Sequence, residues 1–157
     1  MGLLRLLTAL VFLMTSGAAA QEVKRVKPTP SDKCPVCGMF VAKYPDFLAE
    51  IIFSDGSYVL FDGVKDMMKY YFDLSQYNPS KKTADISAMW VTDYYTLEFI
   101  DGYEAYYVID SNVYGPMGRE LIPFKQEAEA KEFMKDHQGK SVLQFNNITK
   151  TLIKTLD

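Results

Sequence analysis

The chain of 157 residues has a single histidine, two cysteines and one tryptophan. With one His, catalysis by a His-centred triad has only one place to happen, which argues against it. No apolar run reaches the roughly 18 residues needed to span a bilayer. Basic residues are not in excess: 17 Lys+Arg stand against 20 Asp+Glu for a net charge of −3, so the electrostatic footprint of a nucleic-acid binder is missing. Disorder and collagen-like character are excluded by ordinary globular proportions, 48% apolar and 24% charged. Aromatics, by contrast, are plentiful, with 11 Tyr and 10 Phe to supply large core side chains. The length fits one domain or two small modules sharing a core.

The first 20 residues have the pattern of a secretory signal peptide: Arg5 in the n-region, an apolar stretch over residues 6–14, and Ala18-Ala19-Ala20 before Gln21. Arg5 is the only charge among them, so cleavage makes the chain one unit more negative. No cysteine precedes Cys34, so a lipid anchor of the bacterial lipoprotein kind is not expected. A periplasmic protein, soluble outside the cytoplasm, is the expectation. Residues 21–33 carry Pro28 and Pro30 and are expected to form an extended leader.

From residue 34 onward, apolar and aromatic runs alternate with turn signals. A short strand is expected over 40–42. Runs at 49–53 and 58–61 flank Ser54-Asp55-Gly56-Ser57, a hairpin signal. Val64, Met67, Met68 and Tyr71 fall at i, i+3, i+4 and i+7, one face of a helix, with Asp62 as a candidate N-cap. A loop at 78–82 precedes a strand at 86–92. The second half repeats the order: strands at 98–100 and 105–110 around Asp101-Gly102, then Ala130, Phe133, Met134 and His137 at helical spacing. Gly139 is placed to end that helix, and a strand over 142–145 closes the unit. The fold class is therefore α+β, two ββαβ modules with mostly antiparallel sheets, at about 34–92 and 93–149.

Sulfur placement is the most informative feature. Met67, Met68 and Met134 lie on helix faces and Met89 lies beside Trp90, where methionine fills cores. Met39 and Met117 fit no such period. Met39 closes Cys34-Pro35-Val36-Cys37-Gly38-Met39, and Met117 stands in Tyr114-Gly115-Pro116-Met117-Gly118-Arg119-Glu120. A thiolate from Cys37 and thioethers from Met39 and Met117 make a soft donor set suited to Cu(I). Three such ligands give a low-coordinate site able to release the ion to a partner.

Cys34 and Cys37 admit other chemistry. They could be a redox dithiol, although the order around them is not the βαβ context of thioredoxin-like proteins. They could be half of a zinc site, completed by His137 and carboxylates. They could form a disulfide, in which Cys37 is not available as a thiolate. His137 reads as a structural residue on an apolar helix face, with metal ligation by it or by water as the alternative. Asp101, Glu104 and Glu120 read as solvated turn residues or helix caps.

The pair Cys34-Pro35-Val36-Cys37-Gly38-Met39 and Gly115-Pro116-Met117-Gly118-Arg119-Glu120-Leu121-Ile122-Pro123-Phe124 resembles the NosL family of copper-binding accessory proteins. Val91-Thr92-Asp93-Tyr94, Ala105-Tyr106-Tyr107-Val108-Ile109 and His137-Gln138-Gly139 support the match, which runs from about residue 34 to 148. The resemblance implies a NosL-like domain over 34–157 with a fold similar to organomercurial lyase. It implies Cu(I) held by Cys37, Met39 and Met117, with Cys34 an additional thiol whose role stays open. The implied role is a metallochaperone rather than an enzyme, working in denitrification with the other copper-supply accessory proteins. It delivers copper to nitrous-oxide reductase for that enzyme's copper–sulfide centre. A thiol-disulfide oxidoreductase using Cys34 and Cys37 is the alternative.

Overall fold

Two apolar runs around a glycine turn start the structure. Ala49–Phe53 (β1) and Tyr58–Phe61 (β2) pair antiparallel, Ala49 opposite Phe61 and Ile52 opposite Tyr58. Gly56 takes φ +82 in their turn, a conformation that costs glycine little, and Asp55 accepts from the Ser57 N–H and hydroxyl. Helix α1 (Val64–Phe72) and a short helix α2 (Leu74–Tyr77) lead to β3 (Ile86–Thr92), which lies antiparallel on the other side of β1. The computed structural model describes residues 26–157; the expected signal peptide at 1–20 and residues 21–25 of the leader lie outside the described residues.

The next strand departs from the sequence expectation. Phe99–Asp101 (β4) pairs with β3, not with the strand that follows it, and the first sheet has the order β2-β1-β3-β4. Ile100 sits opposite Val91 and is buried with it, so β4 completes the first core. The ladder runs on through Gly102, whose N–H donates to Met89 O; a Cβ there would stand 2.9 Å from Met89 Cγ.

The second unit is β5 (Tyr106–Ile109), a small hairpin of β6 (Tyr114–Gly115) and β7 (Gly118–Arg119), β8 (Ile122–Phe124), α3 (Glu127–Asp136) and β9 (Ser141–Gln144). Its sheet has the order β8-β5-β9, all antiparallel, with the unit's first strand central, as in β2-β1-β3. The class is thus α+β with antiparallel sheets. A last helix, α4 (Lys150–Lys154), is capped by the Thr149 side chain, which accepts the Leu152 N–H.

Alternation in β5 joins the units. Tyr107 and Ile109 point into a core that also holds Ile51, Phe61, Met67, Met68 and Met89. Val108 points the other way, into a cluster with Ile122, Phe124, Ala130 and Phe133 under α3. Tyr94 and Tyr95 pack on the rings of Phe124 and Phe133 in that cluster. One strand buried on both faces thereby serves two cores, which neither small unit could close alone.

Two local expectations are corrected. Residues 40–42 do not form a strand: Phe40 makes a single bridge to Lys33, and Val41–Lys43 is a 3-10 turn. At the end of α3, the left-handed residue is Gln138 (φ 55), one place before Gly139. The Gly139 N–H closes the helix on Met134 O, and the glycine is needed for packing, since a Cβ there would meet Val108 Cγ1 at 2.5 Å. No helix among the described residues is long and apolar enough to cross a membrane.

Candidate metal centre

The cysteine loop is a tight, internally bonded turn. Cys34 N–H donates to Met39 O and Gly38 N–H to Cys34 O, both at 2.9 Å, and Gly38 takes φ +80. The backbone N–H groups of Val36 and Cys37 face Cys34 Sγ, and that of Met39 faces Cys37 Sγ. These donors favour thiolate, and their arrangement leaves both sulfurs turned to the start of α1.

There they meet two carboxylates. The Cys34 thiol donates to Asp66 Oδ2 at 3.4 Å and the Cys37 thiol to Asp62 Oδ1 at 3.2 Å. One ligand atom from each of Cys34, Cys37, Asp62 and Asp66 lies within 4.8 Å of the other three. Asp62 and Asp66 are 1% and 2% exposed, which is costly for carboxylates unless something pairs with them. Asp62 Oδ2 is buried with no hydrogen-bond donor among the described residues, and Asp66 Oδ1 faces Lys69 Nζ at 3.7 Å. Two sulfurs and two oxygens at this spacing suit one metal ion, with the sulfurs favouring a soft one.

Burial is the main force on the thiols. It pushes Cys37 up to about 12 and Cys34 upward more strongly, and the neighbouring carboxylates add to both shifts. Redox-active Cys-x-x-Cys pairs work with a lowered thiol pKa, so this environment disfavours the oxidoreductase alternative.

The other residues singled out by the sequence are placed as follows. Met39 is half-buried and adjoins the cysteine loop. Met117 is 42% exposed at the tip of the β6–β7 hairpin, and its carbonyl accepts from Lys65 Nζ at 2.8 Å, so its backbone is tied to the turn of α1 that carries Asp66. His137 caps α3, stacks on Phe133 and hydrogen-bonds Asn112 Oδ1 through Nδ1. Asp101 and Glu104 are exposed; Glu120 is 3% exposed, and burial pushes its carboxyl up to about 8.

Glu120 takes the capping job expected of Asp62. The N-cap of α1 is Gly63, which has no side chain to offer, and Glu120 Oε1 accepts the Lys65 N–H at 2.5 Å in its place. Asp62 is therefore free to face the thiols. Sequence spacing missed Asp62 and Asp66 as members of the cluster because they lie 25 and 32 positions from their thiol partners. The signal that was present is a pair of carboxylates four positions apart, Asp62 just before the N-cap of an amphipathic helix and Asp66 in its first turn.

An α+β protein with a thiol pair on a preformed loop, set against two buried carboxylates, is a metal-binding protein in its architecture. The chain belongs to the NosL family, whose profile matches residues 25–153. It is 27% identical over 157 aligned residues to the copper-binding lipoprotein NosL of Stutzerimonas stutzeri, covering 92% of this chain and 78% of that one. The crystal structure of the copper chaperone NosL from Shewanella denitrificans superposes with a TM-score of 0.69 at 20% identity, covering 82% of this chain and 97% of that one. The solution structure of apo-NosL from Achromobacter cycloclastes gives 0.48 at 25% identity, over 67% and 87% of the two chains.

Proposed function

We propose that this protein is a Cu(I) metallochaperone of the periplasm, a carrier rather than an enzyme, that supplies nitrous-oxide reductase during assembly of its copper–sulfide centre. The single observation that carries the reading is the convergence of Cys34 and Cys37 on one point at the start of α1, with Cys34 buried and Cys37 partly exposed, on a loop held by its own backbone hydrogen bonds. The family relatives named for copper binding support the choice of ion. Cys37 supplies the first thiolate, with Met39 beside it and Met117 arriving from the second unit. Asp62 and Asp66 accept hydrogen bonds from the thiols and so hold the sulfurs in place, and the thiol protons leave to solvent as the ion binds. Thioethers bind weakly enough to be exchanged for a recipient's ligands, which suits transfer.

The test is Cu(I) affinity in competition with a chromophoric chelator under anaerobic conditions. Cys37→Ser and Met117→Ala should each weaken binding. If both hold copper as tightly as the parent, the ligand assignment fails. Mixing the loaded protein with copper-depleted nitrous-oxide reductase tests delivery: copper should move to the enzyme, and retention by the carrier would overturn that step.

A further inference from the structure

Met117 rides on a hairpin that has little to hold it. Strands β6 and β7 are two residues each, joined by Pro116-Met117, and Tyr114, Met117 and Arg119 are all well exposed. An isolated two-stranded hairpin is marginal in water, so by itself this one would leave the thioether without a fixed position. Yet the start of α1, from its N-cap Gly63 to Lys65, grips it at both ends.

At the tip, the Lys65 ammonium, 2% exposed, donates to Met117 O at 2.8 Å and to Leu156 O at 3.1 Å. At the base, Glu120 Oε1 accepts the Lys65 N–H at 2.5 Å and the Leu121 N–H at 2.9 Å. The Glu120 side chain runs between two glycines. A Cβ on Gly63 would stand 2.2 Å from Glu120 Oε2, and one on Gly115 would stand 2.9 Å from Glu120 Cγ. Gly63 has φ −171, which any residue adopts, so its lack of a side chain serves the carboxyl group rather than the backbone.

We propose that Lys65 and Glu120 are positioning residues: together they clamp the Met117 hairpin to α1 and so fix the thioether beside the thiols that Asp62 and Asp66 hold at the start of that helix. This rests on the reading of Met117 as a copper ligand. Lys65 acts with both its backbone N–H and its ammonium, so a buried cation that no ligand role explains has a task. The copper site is thereby assembled across the two units, with α1 as the common mount.

The experiment uses the full chain loaded with one equivalent of Cu(I). Sulfur neighbours are counted by X-ray absorption at the copper edge, and affinity is read by chelator competition. Met117→Ala is the reference. Lys65→Met keeps the buried stem without the ammonium, and Glu120→Ala removes the acceptor. Both should lose one sulfur neighbour and bind about 10- to 100-fold more weakly, as Met117→Ala does. Glu120→Gln keeps an acceptor oxygen and should restore the sulfur count. Gly63→Ala retains both residues but displaces the carboxyl group, so it decides the matter should Glu120→Ala fold poorly; it too should lose the sulfur. If these variants keep the parent's sulfur count and affinity while Met117→Ala does not, the clamp is overturned and the ligand reading stands. If Met117→Ala keeps the parent's sulfur count, the ligand reading fails and the clamp's role in copper binding falls with it.

Discussion

The Cys37 thiol donates to Asp62 Oδ1 across 3.2 Å, in a site where burial pushes its pKa up to about 12. A thiol in that position holds its proton at neutral pH and reacts poorly until something replaces the proton. The apo protein should therefore be alkylated by iodoacetamide at pH 8 at least ~100-fold more slowly than a free cysteine, since the thiolate is the nucleophile. The rate should go on rising with pH beyond 10. Asp62→Asn should lower the Cys37 pKa, because the carboxylate raises it, but leave it above the free-thiol value, because burial is the larger cause. A rate that levels off near pH 9 in the parent would contradict this account.

Metal binding must displace those protons. Below the thiol pKa values, each cysteine that becomes a ligand gives up one proton, so apparent Cu(I) affinity rises about tenfold per pH unit per thiol. The slope between pH 6 and 8 distinguishes one thiolate ligand from two. Cys34 lies within 4.8 Å of the other three donors, and a slope near two is expected. Cys34→Ser should then reduce the slope to about one. A parent slope of one would make Cys34 a bystander to the ion.

How far the sequence discloses this site depends on the distance over which its parts act. The strands Ala49–Phe53, Tyr58–Phe61 and Ile86–Thr92 follow directly from apolar runs and turn residues, because those signals are local. The cysteine loop is equally local. The pairing of β4 with β3 was not visible, because Asp101-Gly102 looks like a hairpin turn, and only Ile100 fitting against Val91 shows otherwise. Asp62 departs from its expected capping role for the same reason, and Glu120, read as a solvated turn residue or a helix cap, is the buried cap of α1. Each sits where a cap or a turn residue belongs, and their actual partners, Cys37 and the Lys65 N–H, are 25 and 55 positions away.

Burial of Glu120 has a consequence for stability. Its pKa is about 8 in the folded protein against an ordinary value of 4.5, so the native state binds more protons than the unfolded chain between those values. Stability should accordingly fall as pH rises from about 4.5 to 8 and level off above, with a ceiling of about 5 kcal/mol on this group's effect. Urea unfolding of the apo protein across that range tests it, and Glu120→Gln should flatten the profile. A parent profile with no downward slope attributable to Glu120 would mean that the N–H donors and Lys65 offset its burial.

The end of α3 offers a test with opposite signs at adjacent positions. Gln138 adopts φ 55, a conformation that costs a residue with a Cβ about 1–2 kcal/mol, whereas Gly139 does not use a positive φ at all. Gln138→Gly should therefore stabilise the protein, by about 1 kcal/mol once the greater entropy of the unfolded chain is set against the relief. Gly139→Ala should destabilise it by about 1–3 kcal/mol, because the new methyl would press on Val108 Cγ1, which is fully buried under α3 and cannot retreat. Were Gly139 the residue that ends the helix by its backbone freedom, Gln138→Gly would bring no gain. Denaturant midpoints of the two variants, measured with copper absent, separate the alternatives: a rise for the first and a fall for the second assigns the turn to Gln138 and the close packing to Gly139.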